Sequence, residues 1–176
     1  ARRQIFTVFA GFLMVEKFGY SAADITMLFL INYLFNFLFA KRIGRFIGVV
    51  GERKALIFEY VGLIGVFVGY GLVQNAEWAA ALYVVDHLFF ALALAIKTYF
   101  QKIADPADMA STAGVSFTIN HIAAVVIPVV FGVIWLSSPA TVFYIGAVMA
   151  VVSLALSLNI PKKPEEGNEV RMFSWR

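Results

Sequence analysis

The sequence predicts an all-α membrane protein, a polytopic bundle of six transmembrane helices. Of its 176 residues, 61% are hydrophobic and 14% are charged, and the mean hydropathy is +0.84. A soluble domain carries about 25% charged residues, so this composition argues against a soluble domain, a disordered chain or a nucleic-acid-binding protein. Apolar segments also recur at close to the roughly 20 residues that cross a hydrocarbon core of about 30 Å. Capping residues and prolines separate several of these segments.

Six apolar segments are the candidate membrane spans. In chain order they are Gln4–Phe18, Asp24–Ala40, Ala55–Val73, Trp78–Phe100, Ser111–Trp135 and Ala140–Ile160. The first has 15 residues, so it is either a short span or part of a longer, truncated helix. We therefore expect residues 1–160 to form a membrane-spanning six-helix bundle and residues 161–176 to form a mobile polar tail.

Residues that typically start helices precede three of the spans. Ser21 and Asp24 have capping-box spacing before the second span. Asp105-Pro106 offers an N-cap acid and a proline at the first helical position before the fifth. Ser138-Pro139 repeats that pattern before the sixth span. These predicted helix starts support the division of the sequence into separate membrane spans.

The third span carries two features that predict packing rather than chemistry. Its small-residue face lets a neighbouring helix backbone approach closely; that face comprises Gly62, Gly65 and Gly69. Glu59 lies near the start of the span, where we expect a structural ion pair with Arg53 or Lys54.

Basic residues gather on one side of the membrane if the spans alternate in direction. That side holds Lys41, Arg42, Arg45, Arg53, Lys54, Lys97, Lys102, Lys162, Lys163, Arg171 and Arg176, whereas the opposite side holds Lys17. The positive-inside rule makes the basic side cytoplasmic. We expect a multi-pass protein of the plasma (inner) membrane with a cytoplasmic C-terminus.

Enzymatic chemistry has little support in this sequence. It contains no cysteine and two histidines, so we expect no disulfide, no zinc–thiolate site and no histidine-rich metal centre. No nucleophile–base arrangement or pair of carboxylates stands out. We therefore expect no catalytic residues, no metal and no cofactor.

Ionisable residues within membrane spans are expensive and are functional candidates by default. Asp86 and His87 lie in the fourth span, about 12 Å from Trp78 at 1.5 Å per residue. Asn120 and His121 lie in the fifth, about 13 Å from its start. We expect the two pairs to converge near the midplane, where an Asp–His set can carry a coupled proton. The alternative is an interhelical hydrogen bond with no role in transport.

Two further pairs of residues are candidates for binding. Asn32 and Asn36 share one face of the second span, where they either join helices or line a cavity. Arg2 and Arg3 are either a positive anchor at the membrane surface or lie within a longer first helix. If Arg2 or Arg3 lies within a longer first helix, its guanidinium would suit an anionic substrate.

The segment after the second span resembles the cytoplasmic loop signature of the major facilitator superfamily, G-x-L-x-D-x-x-G-R/K-R/K. Four positions correspond, at Gly44, Phe46, Gly51 and Arg53, and the basic residue Lys54 follows directly. Gly48 stands where that family usually has Asp, and Glu52 where a basic residue is usual. The first departure removes a carboxylate that helps to hold the family's inward gate. Residues 18–24 and 104–111, with Gly114, are similar to the family's turns before its eighth and eleventh helices.

The resemblance covers nearly the whole chain and implies the C-terminal six-helix half of such a transporter. It implies a secondary active transporter that moves a small solute by alternating access, with Gly44, Gly51, Arg53 and Lys54 in the gating loop. The length is about half of what a facilitator needs, so it also implies a missing N-terminal half or a second membrane chain as partner, besides lipid and a small-molecule substrate. The alternative is a non-transporting assembly or sensor subunit.

Overall fold

The structure is a computed structural model that describes residues 5–170, and this part of the chain is helical with no β-strand beyond one isolated bridge. The elements run in this order: a π-helical segment Ile5–Ala10, α1 Gly11–Phe18, α2 Ala22–Val50, α3 Glu52–Leu72, α4 Ala76–Ala91, α5 Leu94–Ile103, α6 Met109–Ser137 and α7 Pro139–Ser157. The predicted all-α class is confirmed.

Five helical stretches are long and apolar enough to cross a membrane, namely α2, α3, α4 together with α5, α6 and α7. The described part of the first predicted span, residues 5–18, is about 20 Å long at 1.5 Å per residue. The prediction of a multi-pass membrane protein is therefore supported, with five spans of full length and a shorter helical stretch before them.

The helix starts agree with the sequence in two of three places. At α2, the Asp24 N–H donates to Ser21 Oγ (3.2 Å) and the Ser21 N–H donates to Asp24 Oδ2 (2.8 Å), which completes the capping box. Ser138 caps α7, with Pro139 in its first turn. The expected start at Asp105-Pro106 is wrong, because α6 begins at Met109. Asp105 Oδ1 instead accepts the Ala107 N–H (2.8 Å) and closes a turn.

The predicted gating loop is mostly helix. α2 continues ten residues beyond the predicted end of the second span, through Gly44 and Gly48, to Val50. The connection to α3 is made at Gly51, whose φ of 86° is accessible to glycine and unfavourable for other residues. Arg53 and Lys54 already belong to the first turn of α3. Isolated glycines weaken a helix without ending it, so Gly44 and Gly48 do not indicate a loop in this segment.

The fourth predicted span is broken at Leu92 and Ala93. The N–H of Leu92 donates to the Phe89 carbonyl and the N–H of Ala93 to the Phe90 carbonyl, at 3.0 and 3.1 Å. These bonds span three residues instead of four, which is the tighter 3₁₀ pattern. Neither proline nor glycine occurs at the break, so nothing in the sequence predicted it.

Helices α3 and α7 pack along each other at the centre of the bundle. Phe67 of α3 lies against Gly146 of α7, and the rings of Tyr70 and Phe143 stack with centroids 5.0 Å apart. A Cβ on Gly146 would lie 3.3 Å from the Phe67 ring, which is tighter than an ordinary contact, so glycine favours this approach.

The register of α3 against α4 follows from two glycine contacts one heptad apart. A Cβ on Gly62 would lie 2.2 Å from the Phe89 ring, and one on Gly69 would lie 3.0 Å from Leu82. The two helices are antiparallel, so Gly65 is level with Asp86. Gly65 itself has no neighbour within 4 Å of its Cβ position. The predicted small-residue face is thus used at two of its three positions.

The bundle has two ends, which we name the basic end and the opposite end. At the basic end, where α2 and α5 finish and α3 begins, Lys102 Nζ pairs with the buried carboxylate of Glu52 at 2.6 Å. At the opposite end, Lys17 Nζ donates to the Val73 carbonyl and the Trp135 indole N–H donates to Glu16, both at 2.6 Å.

The described part of the tail, residues 161–170, folds back onto the basic end. Pro161 and Pro164 are buried, and the Tyr99 hydroxyl donates to the Glu169 carbonyl at 2.5 Å. The Gly167 N–H donates to the Glu169 side chain and lowers the pKa of that carboxyl. Buried prolines and a tyrosine hydrogen bond thus attach residues 161–170 to the bundle, whereas the mobility of the tail stays a prediction.

Candidate functional site

Asp86 occupies the centre of the bundle. It lies ten residues after the start of α4, or about 15 Å along the helix, which is half of a hydrocarbon core of about 30 Å. It has no exposed surface, and neither has Tyr83, which precedes it by one turn on the same face. Tyr83 and Tyr70 both lie close enough to the Asp86 carboxylate to interact with it electrostatically. The location of Asp86 at the middle of the membrane stays a prediction.

His87 points toward α2 rather than toward α3. Its Nε2 lies 2.7 Å from Asn36 Nδ2, a hydrogen bond that joins α4 to α2. The ring of Tyr33, on the same helix as Asn36, meets the imidazole edge-on with centroids 6.4 Å apart. Adjacent helix residues differ by about 100° in direction, so Asp86 and His87 face different neighbours.

Asn32 completes the buried polar group on the α2 side. It is 1% exposed, and neither atom of its amide has a hydrogen-bond partner among the described residues. It lies one turn from Asn36, which binds His87, and one turn from Phe29, whose ring meets Tyr83. Asn32 therefore faces α4 between Tyr83 and His87.

A second unsatisfied polar group comes from α3. The Tyr70 hydroxyl is buried without a hydrogen-bond partner in the described part of the chain. Buried polar groups normally have partners, and an exception requires an explanation such as a bound water, ion or ligand. We call Asn32, Asn36, Tyr70, Tyr83, Asp86 and His87 the central polar cluster.

The central polar cluster has the chemistry of a proton or small polar ligand site. Asp86 can accept hydrogen bonds as a carboxylate and donate one as an acid, while the free amide of Asn32 can donate and accept. A carboxylate without water around it is expensive in its charged form. A proton or a cationic group is therefore a chemically suitable ligand for Asp86.

The structure does not bring Asn120 and His121 into this cluster. Both side chains are exposed on α6 and bond to their own helix: Asn120 to the Ser116 carbonyl and His121 to the Phe117 carbonyl, each at 2.9 Å. The described residues of this chain therefore do not bring the two predicted pairs together, and their common depth stays a prediction. Depth was inferred from helix rise, which does not determine the direction that a side chain faces.

The remaining predicted residues that the structure describes are not part of the cluster. Arg2 and Arg3 are outside the described residues, so their placement stays a prediction. Among the described residues, the ion pair at the basic end joins Glu52 to Lys102. Glu59 is fully buried; Arg53 and Lys54, six and five residues before it, lie on other faces of α3.

Sequence reasoning missed the two tyrosines of the cluster. Tyr83 carried a usable signal, since it lies three residues before Asp86 on one helix face. Tyr70 carried none, because its position depends on how α3 packs against α4.

No group of three His, Cys, Asp or Glu side chains within the described residues has an arrangement that could hold a metal ion. Searches against protein-family models, curated proteins and solved structures found no match to this chain. The functional interpretation therefore depends on the geometry of the central polar cluster and on the bundle around it.

Proposed function

We propose that this chain forms a six-helix half of a secondary active transporter of the major facilitator type. It moves a small solute by alternating access, and Asp86 carries the coupled proton. The basic end is cytoplasmic by the positive-inside rule, which puts the C-terminal tail in the cytoplasm and the protein in the plasma (inner) membrane.

The observation that carries this proposal is the fully buried carboxylate of Asp86, ten residues into α4, in a bundle that also buries the unsatisfied amide of Asn32. Secondary transporters bind substrate and coupling ions near the bilayer midplane. An ionisable residue at that depth is energetically costly, and it is therefore a functional candidate by default. The hydrogen-bond capacity left on Asn32 and Tyr70 indicates a ligand that the cluster holds in part of its cycle.

The arrangement of helices supports the resemblance to the facilitator family, whose halves contain inverted three-helix repeats. The first triplet consists of spans one to three and the second of spans four to six. The last helix of the first triplet, α3, packs against the last helix of the second triplet, α7. The second span contacts the fourth through Asn36 and His87, and the fifth contacts the first through Phe131 and Phe9, with ring centroids 6.2 Å apart. A pseudo-two-fold axis that exchanges the two triplets would convert the contact between spans two and four into the contact between spans five and one. Both contacts are present, as this symmetry requires.

The exposed part of α6 supports a partner chain or a second half. Residues 113–122 are exposed around the whole circumference of the helix, including Asn120 and His121. Lipid offers no hydrogen bonds to such side chains, and polar groups within a membrane normally face protein or a water-filled cavity. We therefore assign this stretch of α6 to the contact with the remainder of the transporter.

Accumulation of solutes into proteoliposomes tests the proposal. The full-length protein is reconstituted with an acidic exterior and offered labelled amino acids, a hexose, a monocarboxylate and inorganic phosphate. We expect uphill accumulation of one class, its loss in Asp86→Asn, and its retention in Glu77→Gln, an exposed acid at the opposite end. Equal accumulation by wild type and Asp86→Asn contradicts the proton-carrier role.

One observation favours the second candidate, a non-transporting assembly or sensor subunit: Asp86 and Asn32 are closed to solvent, at 0% and 1% exposure. The absence of cysteine allows a direct comparison, with a single Asn32→Cys variant as the probe. A transporter exposes this thiol to a membrane-impermeant reagent during its cycle. A packing subunit keeps it unreactive, and there Asp86 substitutions lower stability alone.

A further inference from the structure

Glu59 is a second acid buried within the membrane bundle. It has no exposed surface, although it lies only seven residues from the start of α3. Residues seven and eleven positions apart recur on the same helix face, so Glu52, Glu59 and Tyr70 form one line along α3. That line starts at the ion pair of the basic end and finishes at the unsatisfied Tyr70 hydroxyl beside Asp86.

The register of α3 against α4 gives the depth of Glu59. Gly62 opposes Phe89 and Gly69 opposes Leu82, so Gly65 is level with Asp86 and Glu59 is level with Leu92. Glu59 therefore lies six residues, or about 9 Å, from Asp86 toward the basic end. Glu52 lies about 10 Å further on the same line.

The fourth span is broken at the level of Glu59. A 3₁₀ stretch inside a longer helix often marks a hinge, and the one here separates α4, which carries Asp86, from α5. Two contacts hold α5 in place at the basic end: Lys102 pairs with Glu52, and the Tyr99 hydroxyl donates to the Glu169 carbonyl. Movement of α5 about Leu92 would thus open the bundle to the basic end at the depth of Glu59.

We infer that Glu59 is the residue through which Asp86 exchanges its proton with the cytoplasm, and that α5 is the gate that admits water to it. This inference depends on the proposed function of Asp86. When α5 moves away, a water chain joins the two acids. The Asp86 carboxylic acid gives its proton through this water to the Glu59 carboxylate, which becomes the acid. Glu59 then gives the proton to cytoplasmic water, forming hydronium, and both carboxylates are restored to the charged form.

Proton flux into liposomes tests the role of Glu59 when the solutes named above are offered together as a mixture. The full-length protein is reconstituted with a pH-sensitive dye inside, and a potassium gradient with valinomycin drives protons inward. We expect wild type to acidify faster than Asp86→Asn. Glu59→Gln is expected to lower the rate by about 10²-fold, which is the lower end of what a proton-transfer group contributes. Glu59→Asp retains an acid and restores much of the rate, and Glu77→Gln behaves as wild type.

Infrared titration separates this role from a structural one. The carboxylic-acid band of Asp86 is expected to titrate in Glu59→Gln, since the inference affects the route of the proton and not its binding site. Wild-type flux in a folded Glu59→Gln variant overturns the inference and leaves the proposed function intact. Equal flux by wild type and Asp86→Asn overturns the proposed function itself.

If the Glu59→Gln variant fails to fold, a second measurement on the wild-type protein tests the inference. Hydrophobic carbodiimides modify carboxyl groups that are protonated within the membrane. We expect mass spectrometry to find modification at both Asp86 and Glu59, with loss of proton flux as Glu59 reacts. Modification of Asp86 with none at Glu59 overturns the inference.

Discussion

Replacing Gly62 with alanine tests the register of α3 against α4, which determines the depths of Asp86 and Glu59. A Cβ at this position would lie 2.2 Å from the Phe89 ring. Carbon atoms pack at about 3.5–4.0 Å, so the ring must move by about 1.3 Å. Phe58 restricts that movement, since its ring centroid lies 5.5 Å from that of Phe89.

The expected cost follows from two opposing effects. Overpacking a tight contact costs about 1–3 kcal/mol, while alanine is favoured over glycine in a helix interior by about 1 kcal/mol. Gly65→Ala is the matched control, because it lies on the same helix with no neighbour within 4 Å of its Cβ position. Both variants gain the helix preference, so their difference isolates the contact with Phe89.

Unfolding of the two variants in mixed micelles, with increasing SDS, measures this difference. We expect Gly62→Ala to be less stable than Gly65→Ala by about 1–3 kcal/mol. Phe89→Ala in the Gly62→Ala background should remove most of the difference, since it removes the ring. Equal stability of Gly62→Ala and Gly65→Ala would show that the register is incorrect.

Three further predictions concern the ends of the bundle. Ser21→Ala removes the cap of α2 and should lower the unfolding free energy by about 1 kcal/mol, measured by thermal or SDS denaturation. Trp135→Phe removes the indole donor to the Glu16 carboxylate and should cost about 1.5–3 kcal/mol in the same assay, whereas Glu16→Gln retains an acceptor and should cost less. Tyr99→Phe removes the hydrogen bond to the tail and should increase amide hydrogen exchange in residues 161–170; unchanged protection would show that the buried prolines suffice.

The membrane environment could be predicted from composition and segment length, because apolar stretches of span length satisfy one requirement of the bilayer. The predicted ends of the spans agree less well with the ends of the helices in the structure. Apolar windows stop at the first charge, so the second span was ended at Ala40, whereas α2 continues to Val50. The break at Leu92 had no sequence signal, since it depends on the packing of α4 and α5 in the bundle.

The candidate site was predicted in part. Asp86 was identified because a charge within an apolar segment is rare, and Asn32 and Asn36 because their spacing places them on one face. The meeting of Asn36 with His87, at 2.7 Å, depends on which helices are neighbours. The same limitation applies to His121, which is exposed on α6 and bonds to the Phe117 carbonyl of its own helix.

The central claim is that Asp86 binds and releases a proton within the membrane. Infrared difference spectroscopy of the reconstituted protein tests this claim most directly, with the pH changed from alkaline to acidic. We predict a carboxylic-acid C=O band that grows as the pH falls, shifts when H₂O is replaced by D₂O, and is absent from Asp86→Asn but present in Glu77→Gln. Identical difference spectra for wild type and Asp86→Asn would contradict the claim.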